Sequence, residues 1–345
     1  MAKNESESFP QSPPLSRRDI LQKSAGTAAV AGAATALGAA SPVLAQNAPA
    51  AAPAARRTIR AGEQNPFYDY SPMPKRPKIS WPNGARVAVH IVPNIEHWDV
   101  HDDKGHMDVR NNPRNDYGLR VAVWRLFDAF SERKIQTTIA LNATVCKFYP
   151  DVIAAAKARG DEFMGHGMTN SEHLDLVPRE NAAEIVRQAV TLIRTSTGQR
   201  VRGWLGPGLG EADGTLDALK AAGVEYVCDW GSADDQPFPM KNGMYVVPYS
   251  VDINDLGLID RQGTPASVFG QYIVDAFDTL YREGADQARV LPIALHPFLT
   301  GAPHRAPHLL KAIDYIRSHD KVWFARGGDI LDAYKAAVAK APKPT

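Results

Sequence analysis

Between residues 86 and 325 the chain alternates short, uninterrupted apolar runs with longer stretches whose apolar positions recur every three or four residues. The short runs cover residues 86–93 (RVAVHIVP), 136–142 (QTTIALN), 162–165, 201–205, 226–230, 244–251, 290–296 and 322–325. Strands that read apolar throughout, with no polar face, belong to a sheet covered on both sides. The helical stretches 119–133, 151–159, 181–195, 214–222, 266–281, 307–319 and 329–339 provide that cover. Seven or eight such units predict an α/β fold: parallel strands with right-handed crossovers, closed or nearly closed into a distorted parallel (β/α) barrel. A chain of 345 residues accommodates one barrel of about 250 residues as a single domain.

The periodic pattern starts only at about residue 81. Before it, Ser16-Arg17-Arg18-Asp19-Ile20-Leu21 precedes a mildly apolar run from Ala25 to Ala40, and Val43 and Ala45 fit a small-residue cleavage site. Residues 1–45 therefore read as a twin-arginine export signal, which implies a periplasmic or secreted protein. The run is shorter than the ~20 residues that span a bilayer, so no stable membrane anchor is expected. Residues 46–80 are rich in Ala and Pro and read as a linker and irregular arm, with the barrel over 81–345.

Net charge is +1 over the whole chain, and it resides in the first 45 residues. The barrel is close to neutral, which gives no field to draw nucleic acid or anionic lipid. Cys146 and Cys228 have no C-x-x-C spacing, so neither a zinc–thiolate site nor a redox dithiol is indicated; one disulfide or two buried thiols both remain open.

Polar residues cluster immediately after the apolar runs: Asn94 and Glu96; Asn142; His166 and Asn170; Asp229, Trp230 and Asp235; Asn254 and Asp255; and His296. In a parallel barrel all of these positions fall on one rim, where catalytic groups gather. Asn94 and Glu96, two apart on an extended chain, point the same way. His166 lies between two glycines, and His296 is followed by Pro297, which holds its backbone extended. A histidine fixed in this way suits acid or base catalysis, and Trp98, Trp204 and Trp230 offer flat surfaces for a sugar or planar ring if they do not pack in the core.

The ordered motifs, an acidic strand end, Gly165-His166-Gly167, Gly203-Trp204-Leu205-Gly206-Pro207-Gly208, Cys228-Asp229-Trp230 and Leu295-His296-Pro297, resemble the polysaccharide deacetylase (nodulation-deacetylase homology) family. Pro248-Tyr249-Ser250 with Asn254-Asp255 is similar to the subgroup that includes the cofactor-independent bacterial allantoinases. The resemblance covers about residues 81–340 and implies a hydrolase of non-peptide carbon–nitrogen bonds, acting on an N-acetylated glycan or a small ureide or cyclic amide.

Departures from the family pattern bear on its metal. Where the first motif has two aspartates, this chain has Asn94 and Glu96; where the second has H-x-x-x-H, it has His166 and Asn170. A carboxamide is a poor ligand for zinc. The reading is a site without cofactor, or with one weakly held divalent metal such as zinc on Glu96 and His166. Glu96, His166 and His296 are the expected catalytic residues. Asn94, Asn170, Trp204, Asp229, Trp230, Asp235 and Asn254 are the expected substrate contacts. The alternative is a barrel that binds a carbohydrate or small molecule without turning it over.

Overall fold

The computed structural model describes residues 64–101, 104–232 and 234–341. The expected export signal and the linker up to residue 63 lie outside the described residues. Residues 60–345 form one compact unit.

Nine strands make one curled sheet: β1 (Val87–Ile95), β2 (Thr138–Leu141), β3 (Glu162–Gly165), β4 (Gly203–Trp204), β5 (Tyr226–Val227), β6 (Phe238–Pro239), β7 (Tyr245–Val246), β8 (Arg289–Leu295) and β9 (Val322–Phe324). Their order is β6-β7-β5-β4-β3-β2-β1-β8, with β9 on β1. All pairings are parallel except β6 with β7. The eight expected runs all appear as parallel strands, and Phe238–Pro239 adds a ninth, a two-residue antiparallel strand too short to register as an apolar run. Between β6 and β8 the sheet is spanned only by isolated backbone bonds, Val290 N–H to Asp235 O (2.7 Å) and Ala294 N–H to Ile253 O (3.0 Å). The result is a distorted half-barrel.

Strand β1 organises it. Residues 87–93 pair with β8 along their whole length, while the other edge is shared by β9 at residues 87–89 and β2 at residues 94–95. Alternation divides its side chains: Val87, Val89 and Ile91 pack outward with the helices, and Ala88 and Val92 pack inward. The same parity carries Asn94 and Glu96 to the inner face at its carboxyl end. In β8, Val290 and Ala294 point inward and Leu291, Ile293 and Leu295 outward, so His296 continues the inner row. Met164 does the same for His166 on β3.

Two glycines allow close approach between neighbouring strands, Gly165 on the outer face and Gly203 on the inner. A Cβ on Gly165 would lie 2.6 Å from Trp204 Cε3, and one on Gly203 would lie 2.2 Å from Tyr226 Cζ. Both glycines are thus required by close approach. At the amino end the barrel is plugged: Gly327 N–H donates to Thr138 Oγ1 (2.7 Å) and Gly328 N–H to Glu162 Oε2 (2.8 Å), opening the helix Gly327–Lys340. The Tyr226 hydroxyl donates to Glu162 Oε1 (3.0 Å), and burial pushes the Glu162 carboxyl up. His90 lies fully buried with Nδ1 on the Pro248 carbonyl (3.0 Å) and Nε2 without a partner, and burial holds it down at about 4.

The arm preceding the barrel is anchored where sequence gave no element. Phe67 packs on Trp230 (4.8 Å between centroids) and Tyr68 on Phe238 (5.0 Å). The Arg76 guanidinium makes two parallel bonds to Asp234, 2.6 and 2.7 Å. Cys146 and Cys228 are free, buried thiols. Among the described residues no helix is long and apolar enough to cross a membrane.

Candidate active site

The inward parity of β1, β3 and β8 delivers three ionisable side chains to one point on the carboxyl rim. Glu96 Oε1 lies 3.4 Å from His166 Nε2 and 3.5 Å from His296 Nε2. All three are almost fully buried. The far nitrogen of each ring is fixed. His166 Nδ1 meets the Leu205 carbonyl at 2.6 Å, and because a carbonyl only accepts, Nδ1 carries the hydrogen. His296 Nδ1 meets Asp255 Oδ1 at 2.7 Å, which likewise sets its tautomer. Asp255 also accepts the His296 backbone N–H (2.9 and 3.0 Å) and the Thr300 hydroxyl (2.7 Å). The Trp98 indole N–H donates to Glu96 Oε2 at 3.2 Å.

Two opposing effects act on this group. Burial alone would raise the Glu96 carboxyl, but the charge of His296 and the bonds from both histidines override it and hold Glu96 at about 2. Burial alone would lower His296, but Glu96 and Asp255 override it and lift the imidazole to about 10. At neutral pH the rim therefore holds a carboxylate and an imidazolium side by side, one able to accept a proton and the other to give one.

A neutral polar wall faces this pair. Asn94 Nδ2 donates to the Tyr249 hydroxyl and to the Leu295 carbonyl, both at 3.1 Å. Asn254 Oδ1 accepts the Leu256 N–H (2.9 Å), and its Nδ2 approaches the Tyr249 hydroxyl (3.4 Å). Burial pushes the Tyr249 phenol well above its usual range, so it stays protonated and able to donate. Together these groups enclose a cleft of about 160 Å³, with Trp98, Asn170, His173 and Arg261 at its sides.

The structure brings Glu96, His166, His296, Asn94, Asn170 and Asn254 onto this cleft. It does not bring Trp204, Asp229, Trp230 or Asp235 there, and those expectations are corrected. Trp204 is wholly buried against Gly165 in the core. Asp229 Oδ1 accepts the Gly206 N–H (2.7 Å), shaping the loop behind the cleft. Trp230 stacks with Phe67 and donates to Glu211 (3.0 Å). Asp235 faces Arg289 at 3.8 Å on the seam between β6 and β8. Asn142 is a brace, accepting the His97 N–H (2.9 Å) and donating to the His166 carbonyl. Asp255 and Tyr249 escaped the sequence-based selection. Asp255 stands in the run Asp252-Ile253-Asn254-Asp255, which reads as turn chemistry.

For a divalent ion the rim offers His166 Nε2, Glu96 and the carboxamide of Asn170, whose Oδ1 is buried without a partner. Among the described residues no three His, Cys, Asp or Glu side chains are arranged to hold a metal. The Glu96 oxygen that would ligate it already neutralises His296. With His296 held between Asp255 and Glu96, the remaining imidazole, an amide and a committed carboxylate do not fit a zinc centre. Nearby, His97 bonds Thr144 (2.9 Å) and His101 bridges to Met107 in an exposed loop.

Residues 115–227 match the sequence profile of the polysaccharide deacetylase family. A candidate polysaccharide deacetylase of Schizosaccharomyces pombe is 27% identical over 296 residues, covering 74% of this chain and 92% of that protein. Among solved structures, a probable polysaccharide deacetylase from Pseudomonas aeruginosa PAO1 superposes with a TM-score of 0.68 at 30% identity, covering 76% of this chain and 95% of that one. The Puue allantoinase superposes with a TM-score of 0.69 at 29% identity, covering 78% and 98%.

Proposed function

Because the chain belongs to the polysaccharide deacetylase family, we propose that it hydrolyses a carbon–nitrogen bond outside peptides, by acid–base catalysis without a metal. The observation that supports this reading is the buried pairing of the Glu96 carboxylate with the His296 imidazolium at the cleft floor. Glu96 takes a proton from water as its oxygen attacks the carbonyl carbon. The Tyr249 hydroxyl and the Asn254 carboxamide are placed to donate to the developing oxyanion. As the C–N bond breaks, His296 gives its Nε2 proton to the leaving nitrogen. Proton return from Glu96 to His296 restores the starting state. His166, with Nδ1 held by the Leu205 carbonyl, packs beside Glu96 with Nε2 3.4 Å from Oε1.

The relatives bracket the substrate, one named for allantoin and others for polysaccharide. A cleft of about 160 Å³ supports a small cyclic amide or ureide over an extended glycan. The twin-arginine segment supports action outside the cytoplasm. A competing reading, a binding barrel without turnover, draws on the amides Asn94 and Asn170, and it predicts ligand binding with no product. Purified protein is assayed on allantoin and on acetylated chito-oligosaccharides, with and without chelator and added zinc. The proposal expects turnover that chelator leaves unchanged and that Glu96→Gln lowers by about 10²–10⁴-fold. Activity that appears only with zinc, or none on any amide, overturns it.

A further inference from the structure

Two groups in the cleft are left over by this chemistry. Arg261 lines it, is exposed, and has no hydrogen bond or ion pair with any described residue. Its neighbour Asp260, the nearest carboxylate in sequence, is engaged by Arg114. On the same cleft, Asn170 is 5% exposed and its carboxamide oxygen has no hydrogen-bond partner. A buried amide oxygen left unpaired is costly unless a ligand supplies a donor.

The segment that presents Arg261 is not an ordinary loop. Leu256–Arg261 forms a turn of π-helix, a rare geometry that recurs at functional sites. Its first residue is held by Asn254 Oδ1, and the residue before it is Asp255, which fixes His296. One short, stiff element thus sets both the proton donor and the guanidinium. Of the charged groups lining the cleft, Glu96 lies against His296 at 3.5 Å, which leaves the Arg261 guanidinium to meet an anionic ligand.

Resting on the hydrolase reading above, we propose that the substrate is a small amide or ureide bearing a carboxylate. Its carboxylate is received by Arg261 and one of its N–H groups by Asn170, while the scissile carbonyl faces Glu96 and His296. A planar guanidinium suits a carboxylate through two parallel N–H bonds. A neutral ureide or sugar leaves this arginine unused.

The test uses two matched probes, N-carbamoylglycine and its neutral amide N-carbamoylglycinamide, with the full chain and the variants Arg261→Gln and Arg261→Lys. Binding is read by calorimetry and hydrolysis by product analysis. The proposal expects the carboxylate probe to bind about tenfold more tightly than the amide. Arg261→Gln abolishes that preference, and Arg261→Lys keeps part of it. Equal affinity for both probes, binding of neither, or a preference that survives Arg261→Gln overturns it. Turnover of allantoin or chito-oligosaccharide separates the two levels: if it persists while the preference fails, the hydrolase reading stands and this inference falls.

Discussion

Asp255→Asn tests the proton donor with almost no change of shape. The carboxylate contributes to the lift of His296 twice, through its charge and through the 2.7 Å bond to Nδ1, alongside the charge and bond of Glu96. His296 rises from 6.5 to about 10 under all of these together. Losing the Asp255 share brings it down by about one to two pH units, each worth about 1.4 kcal/mol. The sign is set by which form works. Glu96 acts ionised and is so above about 2; His296 acts protonated and is so below about 10. The kcat/KM of the natural protein therefore holds a plateau through neutral pH, falling as pH drops through about 2 and as it rises through about 10. In Asp255→Asn the high-pH fall begins earlier, and the plateau drops by about 10²-fold or more because the ring loses the charged acceptor that holds its orientation. The profile is measured by product release, and the His296 ring protons are followed by NMR so that the titration is read without turnover. A basic limb and a ring titration that both stay in place would refute the reasoning.

Other outcomes follow from the same coordinates. Gly165→Ala drives a methyl against the buried Trp204 ring and costs about 1–3 kcal/mol, read as a lower denaturation midpoint at unchanged m. His90, held at about 4 by burial, stabilises the fold above 6.5 and loses that contribution as pH falls towards 4; His90→Phe flattens stability across this window in denaturant titrations at stepped pH. Arg76→Ala removes a paired bond to Asp234 that ties the arm to the barrel, so proteolysis within residues 64–80 accelerates while the barrel stays intact.

The barrel was legible because its strands are apolar on both faces and its helices periodic, and the helix read over 266–281 appears as Ala266–Glu283. The rim histidines were legible for a related reason: a polar residue directly after a buried strand has nowhere to go but the mouth. The aromatic positions were not. Trp204 ends a strand and Trp98 follows one, yet the first packs against Gly165 and the second bonds Glu96, and only the neighbouring segment decides between them. Asp255 was hidden because its role depends on β8 lying beside it, a contact forty-one residues away in sequence. The nine-stranded count was hidden because two residues are too few for any periodicity to show.

The plug at the amino end, where Gly327 and Gly328 seat on Thr138 and Glu162, leaves the cleft, among the described residues, opening at the carboxyl rim. On the proposed reaction, substrate and product pass the same rim, so the next substrate waits for the previous product to back out. A fragment that lingers there competes directly with it, and the proposed hydrolysis is then expected to show inhibition by accumulated product.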